Sequence, residues 1–353
     1  MPILNKNKDQ YIQRFLLKWY EKNKRELPWR NIKPNNQANA YYVLVSEFML
    51  QQTTVNTVTK RFNEFIKLWP SIDKLGRISE NRILRFWSGL GYYNRAKNLL
   101  KTIKIISRDF KSKVPQHYDR LIELPGVGDY TAKAILGIAY NQPVLPLDAN
   151  IKRIIARLYG IKTLLRLNKK KIEDIASQYQ SLNKASDLIQ SFMDYGSAIC
   201  LPRNPKCDEC LIEKFCEARK KNIQHLIPFK NLSLEKKKIK FTRAYIVVNN
   251  RNEILVNRRK SSGMLASMLE VPNDQWVNKK KLLERNAIYE KVGNKFKYKG
   301  AFTYSFSHFD LDIDIYKTVV KKKMFKDHKW MKTNQIHISG MPTVMKQIIK
   351  KSR

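Results

Sequence analysis

The stretch LIELPGVGDYTAKAI, residues 121–135, decides the fold. Apolar spacing carries a helix to Leu124, Pro-Gly-Val-Gly turns the chain, and a second helix starts near Asp129. Gly126 and Gly128 stand where a tight turn favours residues without a side chain. The turn brings backbone N–H groups beside the N-terminus of the second helix, an array that holds a phosphate oxygen without reading base sequence. A lone Gly-x-Gly turn is commonly only structural; the two flanking helices make this one a helix-hairpin-helix.

Outward from the hairpin, residues 9 to about 200 are helical nearly throughout. Segments such as YIQRFLLKWYEKN, YYVLVSEFMLQQTTVNTVTKRFNEFIKLW and ANIKRIIARLYG repeat apolar residues every three or four positions. Pro and Gly breaks divide them into roughly ten helices. Beyond residue 225 the texture changes. Residues 226–242, with their KKKIK run, read as a linker, and AYIVVNN, EILVNRR and TYSFSHFDLDIDIYKTVV read as strands before a last helix near 343–350. The expected architecture is a mostly α N-terminal domain over 1–225 and a smaller α+β domain over 243–353.

Composition excludes several classes. The 353 residues are 43% hydrophobic with 17 Tyr, 15 Phe and 6 Trp, which argues against disorder. No apolar run approaches the length of a membrane-spanning helix. The N-terminal MPILNKNKDQ has neither a signal-peptide core nor a transit-peptide pattern, so a soluble, cytoplasmic protein is expected. The net charge of +39 suggests a polyanionic partner. That charge is weak evidence on its own: Lys outnumbers Arg 48 to 21, and the excess divides evenly, +21 through residue 230 and +18 beyond it.

All four cysteines fall in one short stretch, as Cys200-x6-Cys207-x2-Cys210-x5-Cys216. Such clustering is no disulfide scaffold in a chain this long, and four thiolates suit either tetrahedral zinc or an iron–sulfur cluster. Zinc modules usually pair two C-x₂₋₄-C knuckles, and only one C-x₂-C occurs here, so the spacing leans towards [4Fe–4S].

Two carboxylates stand out by position. Glu47 shares its helix face with Val43, Leu44, Leu50 and Gln51, which makes it either a surface exception or a desolvated acid of raised pKa. Asp148, in PLDANIKR, stands where a helix begins, and capping is its default role. Held at a helix N-terminus it is expected to stay ionised. A protonated acid and an anion in one site are what cleavage of a glycosidic bond requires.

Six blocks in one order carry a resemblance: LPWR (27–30), SEFMLQQTTV (46–55), GLGYYNRAKNL (89–99), LPGVGDYTAKAI (124–135), LDANIKRIIARLYG (147–160) and the four-Cys cluster. Together they resemble the MutY family of adenine DNA glycosylases, within the helix-hairpin-helix superfamily that includes endonuclease III. The resemblance is strong over residues 10–225 and continues more weakly into the second domain, where YSFSHFDLDI (304–313) looks like the family's FSH segment. It implies a MutT/Nudix-like fold there, while the Nudix hydrolase signature is missing, so pyrophosphate hydrolysis is not expected.

The resemblance implies a monomeric base-excision-repair enzyme that acts on duplex DNA and removes adenine mispaired with 8-oxoguanine or guanine. Glu47 would protonate the flipped adenine, and Asp148 would stabilise the C1′ cation with Tyr130 and Asn150 assisting. Trp29 and Arg30 would border the adenine pocket, Gln51 and Gln52 would fill the vacated space, and Tyr92 would wedge beside 8-oxoguanine. Gly126 and Gly128 would hold the backbone, while Phe306, Ser307 and His308 would check the opposite base. Cys200, Cys207, Cys210 and Cys216 would hold the cluster. Relatives that cut the strand carry Lys where Tyr130 stands, and a phenol forms no Schiff base, so a monofunctional glycosylase leaving an abasic site is implied.

Three departures from the family pattern are visible. NIKPNNQANA (31–40) holds about five extra residues, Ala149 stands where Gly is usual, and SSGMLASMLEVP (261–272) lacks a common Trp and Gly pair. Ala149 is expected to accept a backbone conformation that Gly normally supplies. The competing readings are an endonuclease III-like enzyme on oxidised pyrimidines, which would want Lys at 130 and no second domain, and a non-enzymatic zinc-dependent DNA-binding protein, which would need neither carboxylate.

Overall fold

Helix α1 (Lys6–Asn23) opens the described chain, and α2 (Ala40–Leu50) follows after a single 3₁₀ turn at Pro28–Arg30. The computed structural model describes residues 6–30, 38–180, 183–229, 237–260, 263–325 and 328–352. Most of the extra segment, residues 31–37, therefore lies outside the described residues, as do 230–236 of the expected linker and 261–262. Asn39 caps α2, its side-chain oxygen accepting from Tyr41 N–H at 3.0 Å. Nearly every side chain of α2 is buried, from Tyr41 to Met49, which marks it as a central helix rather than a surface one.

The helices that follow are α3 (Val55–Leu68), α4 (Ile72–Gly76), α5 (Glu80–Phe86), α6 (Asn94–Asp109), α7 (Tyr118–Ile122) and α8 (Asp129–Ala134). A π-turn, Ile135–Ala139, prolongs α8. Then come α9 (Ala149–Leu158), α10 (Lys169–Ala176), α11 (Ala185–Ala198) and the short α12 (Glu217–Lys220). Among the described residues no helix is long and apolar enough to cross a membrane.

Two compact units result, and the division is not a single cut in the sequence. One holds Met1–Arg77 with Asn98–Leu232, the other Ile78–Lys97 with Ser233–Arg353. Side chains tie the 78–97 segment into the second unit: Lys97 Nζ donates to Ala266 O at 3.0 Å, Lys346 Nζ to Ser88 Oγ at 2.9 Å and Arg258 Nη1 to Asn81 Oδ1 at 3.1 Å.

The second unit is built on a sheet of β1 (Lys238–Asn249), β2 (Glu253–Arg258), β3 (Leu269–Glu270), β4 (Lys297–Ser305), β5 (Phe309–Val320) and β6 (Lys329–Lys332), in the order β3-β2-β1-β5-β4, with β6 on β2. Two helices complete it, α13 (Ala287–Val292) and α14 (Thr343–Lys351). Alternation along β1 sends Ala244 and Ile246 to a core shared with Val344, Met345 and Ile348 of α14, and Tyr245 and Val247 to one shared with Ile288 and Val292 of α13. The sheet is thus covered on both faces. Residues 238–242, read as linker from their lysines, are strand: Lys238 to Thr242 pair in parallel with Phe309 to Ile313 of β5. Ladder pairing outweighs a charged composition there.

The hairpin itself separates its two glycines. Gly126 has φ +82°, and a Cβ there would lie 2.8 Å from Asn98 Cβ and 2.9 Å from Phe48 Cε1. Gly128 is extended, with open space where a Cβ would go. Only Gly126 is required by the backbone and its neighbours, which corrects the paired expectation. We predict that Gly126→Ala costs roughly 2–4 kcal/mol through left-handed strain and overpacking, whereas Gly128→Ala costs no more than about 1 kcal/mol as a capping loss. Thermal melting of the two variants checks this, and equal losses would contradict it.

Candidate active site

The C-terminal half of α2 and the first residues of α9 face a cavity of about 550 Å³. Glu47 enters it from α2, Tyr130 from α8, and Asp148, Ala149 and Asn150 from the start of α9. Arg25, Leu27, Trp29 and Arg30 form a second wall, Gln51 and Gln52 stand at the α2 C-terminus, and Gln190, Met193 and Ser197 come from α11. Trp29 is buried edge-on against Phe62, with ring centroids 5.4 Å apart.

Glu47 is a desolvated acid, not a surface exception. Burial pushes its carboxyl up to about 7; a hydrogen bond from Tyr130 opposes the rise and the charge of Asp148 adds to it. Burial and the two neighbouring carboxylates hold the Tyr130 phenol well above its ordinary value, so it remains a neutral donor. Tyr130 therefore bonds Glu47, although the resemblance pairs it with Asp148.

Asp148 caps α9, its Oδ1 accepting from Ile151 N–H at 2.6 Å and its Oδ2 from Asn150 Nδ2 at 3.0 Å. Its carboxyl is nevertheless raised, because burial outweighs those donors and the charge of Arg153. This departs from the expectation of a simple ionised cap. Buried Glu47 and half-buried Asp148 compete for one proton, and Asp148 has more donors and a nearby guanidinium. The proton accordingly rests on Glu47. Ala149 is the first residue of α9 and its backbone is helical, so the alanine needs no glycine-like conformation.

Sequence reasoning missed the next link. Arg153, on the same α9, donates Nη2 to Asn150 Oδ1 at 2.9 Å and to Gly196 O at 2.7 Å, and Nε to Cys200 O at 2.8 Å. That contact fixes the Asn150 amide with its nitrogen towards Asp148. A Cβ on Gly196 would sit 2.6 Å from Asn150 Cβ, so this glycine lets α11 approach α9. Neither residue could be singled out without knowing which helices cross. One turn on, buried Arg157 reaches the cysteine loop, donating Nη1 to Leu201 O at 2.7 Å and to Cys200 Sγ at 3.3 Å. Tyr195 donates its hydroxyl to Cys210 Sγ at 3.3 Å.

The four sulfurs are half-buried and lie within electrostatic reach of one another. Burial holds the Cys207, Cys210 and Cys216 thiols above their ordinary value, and the Tyr195 hydroxyl opposes that rise at Cys210. Four soft sulfur donors gathered in one loop are the donor set that iron–sulfur ligation uses. Among the described residues no group of three or more His, Cys, Asp or Glu side chains is close enough to hold a single metal ion.

The remaining candidate residues gather in the second unit. Tyr92 and Ser307 hydrogen-bond through their hydroxyls. Phe306 N–H closes a tight turn on Phe309 O at 2.9 Å, leaving Ser307 and His308 exposed at its tip. Phe306 itself packs inward, stacked on Phe309 at 4.8 Å and 5.6 Å from Trp276. Tyr92 (φ +46°) and, in the first unit, Gln52 (φ +56°) share a left-handed backbone that side-chain-bearing residues rarely adopt.

Residues 45–184 match the HhH-GPD superfamily of base excision DNA repair proteins, and residues 243–351 match a NUDIX domain. The chain is similar to the adenine DNA glycosylase of Buchnera aphidicola subsp. Schizaphis graminum, 34% identical across 96% of this chain and 98% of that protein. It is also similar to the Homo sapiens adenine DNA glycosylase, 26% identical across 95% of this chain and 72% of that one. Among solved structures, a thermostable thymine-DNA glycosylase superposes with TM-score 0.55 and 27% identity, over 61% of this chain and 98% of that chain. A non-covalent endonuclease III–DNA complex superposes with TM-score 0.53 at 20% identity, over 63% and 100%, a likeness of fold.

The raised Glu47 has a measurable cost. Its ordinary value is 4.5 and its folded value about 7, so between those pH values the folded chain holds a proton that the unfolded chain has lost. Stability therefore falls as pH rises through that window, by about 3 kcal/mol in all. Glu47→Gln removes the titration and is expected to be more stable than the parent at pH 8 by about that amount, with little difference near pH 4. Urea unfolding at the two pH values tests the sign.

Proposed function

The chain belongs to the adenine DNA glycosylase family, and from that premise we propose that it hydrolyses the N-glycosidic bond of adenine paired with 8-oxoguanine or guanine and leaves an abasic site. The observation that carries this reading is the pair of carboxylates facing one cavity roomy enough for a base, with buried Glu47 raised to about 7 beside a half-buried, donor-rich Asp148. A base can enter such a pocket only when extruded from the duplex, which costs least at a mispair.

Glu47, protonated near neutral pH, gives its proton to N7 of the flipped adenine. The C1′–N9 bond then breaks with its electron pair moving onto the purine, which leaves neutral. The positive charge at C1′ faces the Asp148 carboxylate, held by Asn150 and through it by Arg153. Glu47, now anionic, takes a proton from the water that adds to C1′ and returns to its starting state. Tyr130 contributes a neutral phenol and no amine, which supports a monofunctional reaction without strand cleavage.

Cys200, Cys207, Cys210 and Cys216 are proposed to hold a [4Fe–4S] cluster rather than zinc. When bound, the cluster supplies a thiolate-ligated cross-link through residues 200–216. Gln51, Gln52, Tyr92, Ser307 and His308 are assigned to the space left in the duplex and to the opposite base; the hairpin at Gly126 and Gly128 is assigned to the backbone. One chain carries all of these groups, which favours action as a monomer, placed with the DNA in the cytoplasm.

Single-turnover incubation with a duplex carrying A opposite 8-oxoguanine tests the reading. Strand breaks are expected only after alkali, and the rate is expected to fall as pH rises above about 7, where Glu47 loses its proton. Glu47→Gln and Asp148→Asn should each lower the rate by roughly 10²-fold or more. Breaks without alkali would overturn the monofunctional assignment, and undiminished activity in Glu47→Gln would overturn the acid. Purified protein should contain iron and sulfide and absorb broadly in the visible; a colourless zinc protein would overturn the cluster.

A further inference from the structure

The pocket wall that carries Arg25, Leu27, Trp29 and Arg30 has little backbone structure of its own. Between α1 and the end of the Pro28–Arg30 turn, Arg30 N–H on Leu27 O at 2.9 Å closes one 3₁₀ turn. Asp194 of α11, only 1% exposed, provides the missing attachment. Its Oδ2 accepts from Arg25 N–H at 3.0 Å and from Arg30 Nη1 at 2.7 Å. Its Oδ1 accepts from Arg25 Nε at 2.7 Å and from Arg30 Nη2 at 2.8 Å. Arg30 Nη1 also donates to Arg25 O at 3.1 Å, which closes the loop on itself. Asp194 lies behind the lining of the cavity, while both arginines belong to that lining.

One carboxylate, itself nearly closed to water, therefore holds two guanidiniums, one of them by a bidentate grip. Without that charge the two cations would be left adjacent and uncompensated, and Arg25, about one-third exposed, would turn to solvent. The wall would then face the incoming base with the uncompensated charge of Arg30. A base that must accept a proton is disfavoured beside it.

We propose that Asp194 is the positioning residue of the base pocket: through Arg25 and Arg30 it builds the Leu27–Trp29 wall before a base arrives, and the wall is needed to seat the base rather than to hold the DNA backbone. This rests on the reading that the cavity receives adenine.

The test compares the parent and Asp194→Asn on two duplexes, each with 8-oxoguanine in the opposite strand. One carries non-cleavable 2′-fluoro-2′-deoxyadenosine, the other a tetrahydrofuran abasic analogue with no base to seat. Asp194→Asn is expected to weaken the fluoroadenosine duplex at least about fivefold more than the abasic one, and to slow single-turnover adenine release by about tenfold or more. A merely structural role would weaken both duplexes alike, and a selective loss below about fivefold overturns the proposal. Should Asp194→Asn not fold, Arg30→Lys, which keeps the charge but cannot bridge both carboxylate oxygens, is read by the same ratio. Failure of the parent to release adenine would sink the pocket assignment; release by the parent with no selective loss in the variant would sink only the role of Asp194.

Discussion

Two carboxylates that face one pocket, Glu47 buried and Asp148 half-buried, disfavour each other's ionisation, and the first unit is arranged around that constraint. Burial raises Glu47 and Asp148 together. The donors then break the tie. Ile151 N–H and the Asn150 amide serve Asp148, whereas Glu47 has the neutral Tyr130 phenol. Placing one carboxyl on a mostly buried helix and the other at a helix N-terminus gives two chemically similar side chains different preferences for the proton. The arrangement is costly, since an acid kept protonated at neutral pH detracts from stability.

Helix α9 connects that pocket to the cysteine loop. Its N-terminus carries Asp148, its first turn Asn150, and its inner face Arg153 and Arg157 one turn apart. The two buried guanidiniums are satisfied by carbonyls of Gly196, Cys200, Leu201, Pro202 and Ile227, so the loop holds the helix as much as the helix holds the loop. One side chain, Arg153, touches both Asn150 and Cys200.

The second unit solves a different problem, presenting a short turn from a rigid sheet. β1 and β5 run in parallel for twelve residue pairs, and β4 returns antiparallel on β5. The turn between β4 and β5 leaves Ser307 and His308 exposed while Phe306 is anchored among Tyr304, Phe309 and Trp276. The apolar anchor and the Phe306 N–H bond to Phe309 O together hold the two polar tips in place.

Much was legible in the amino-acid order. Helical spacing, the Pro-Gly-Val-Gly turn, the four clustered cysteines and a Glu among aliphatics are local patterns, and local patterns survive without knowledge of neighbours. They marked the helix-hairpin-helix, the split into an α and an α+β part, and Glu47 and Asp148 as the pair to watch. Tertiary structure alone decided the rest. It shows that Gly126 but not Gly128 is compelled, that lysines 238 and 240 lie in a strand, and that Tyr130 bonds Glu47. It also brought in Arg153, Gly196 and Asp194. Asp194 lies 169 positions from Arg25 and 164 from Arg30, and nothing in the residue type distinguishes it from a solvated acid. Charge state and contact depend on which surfaces are removed from water and which donors reach them, and those are fixed only when the helices cross.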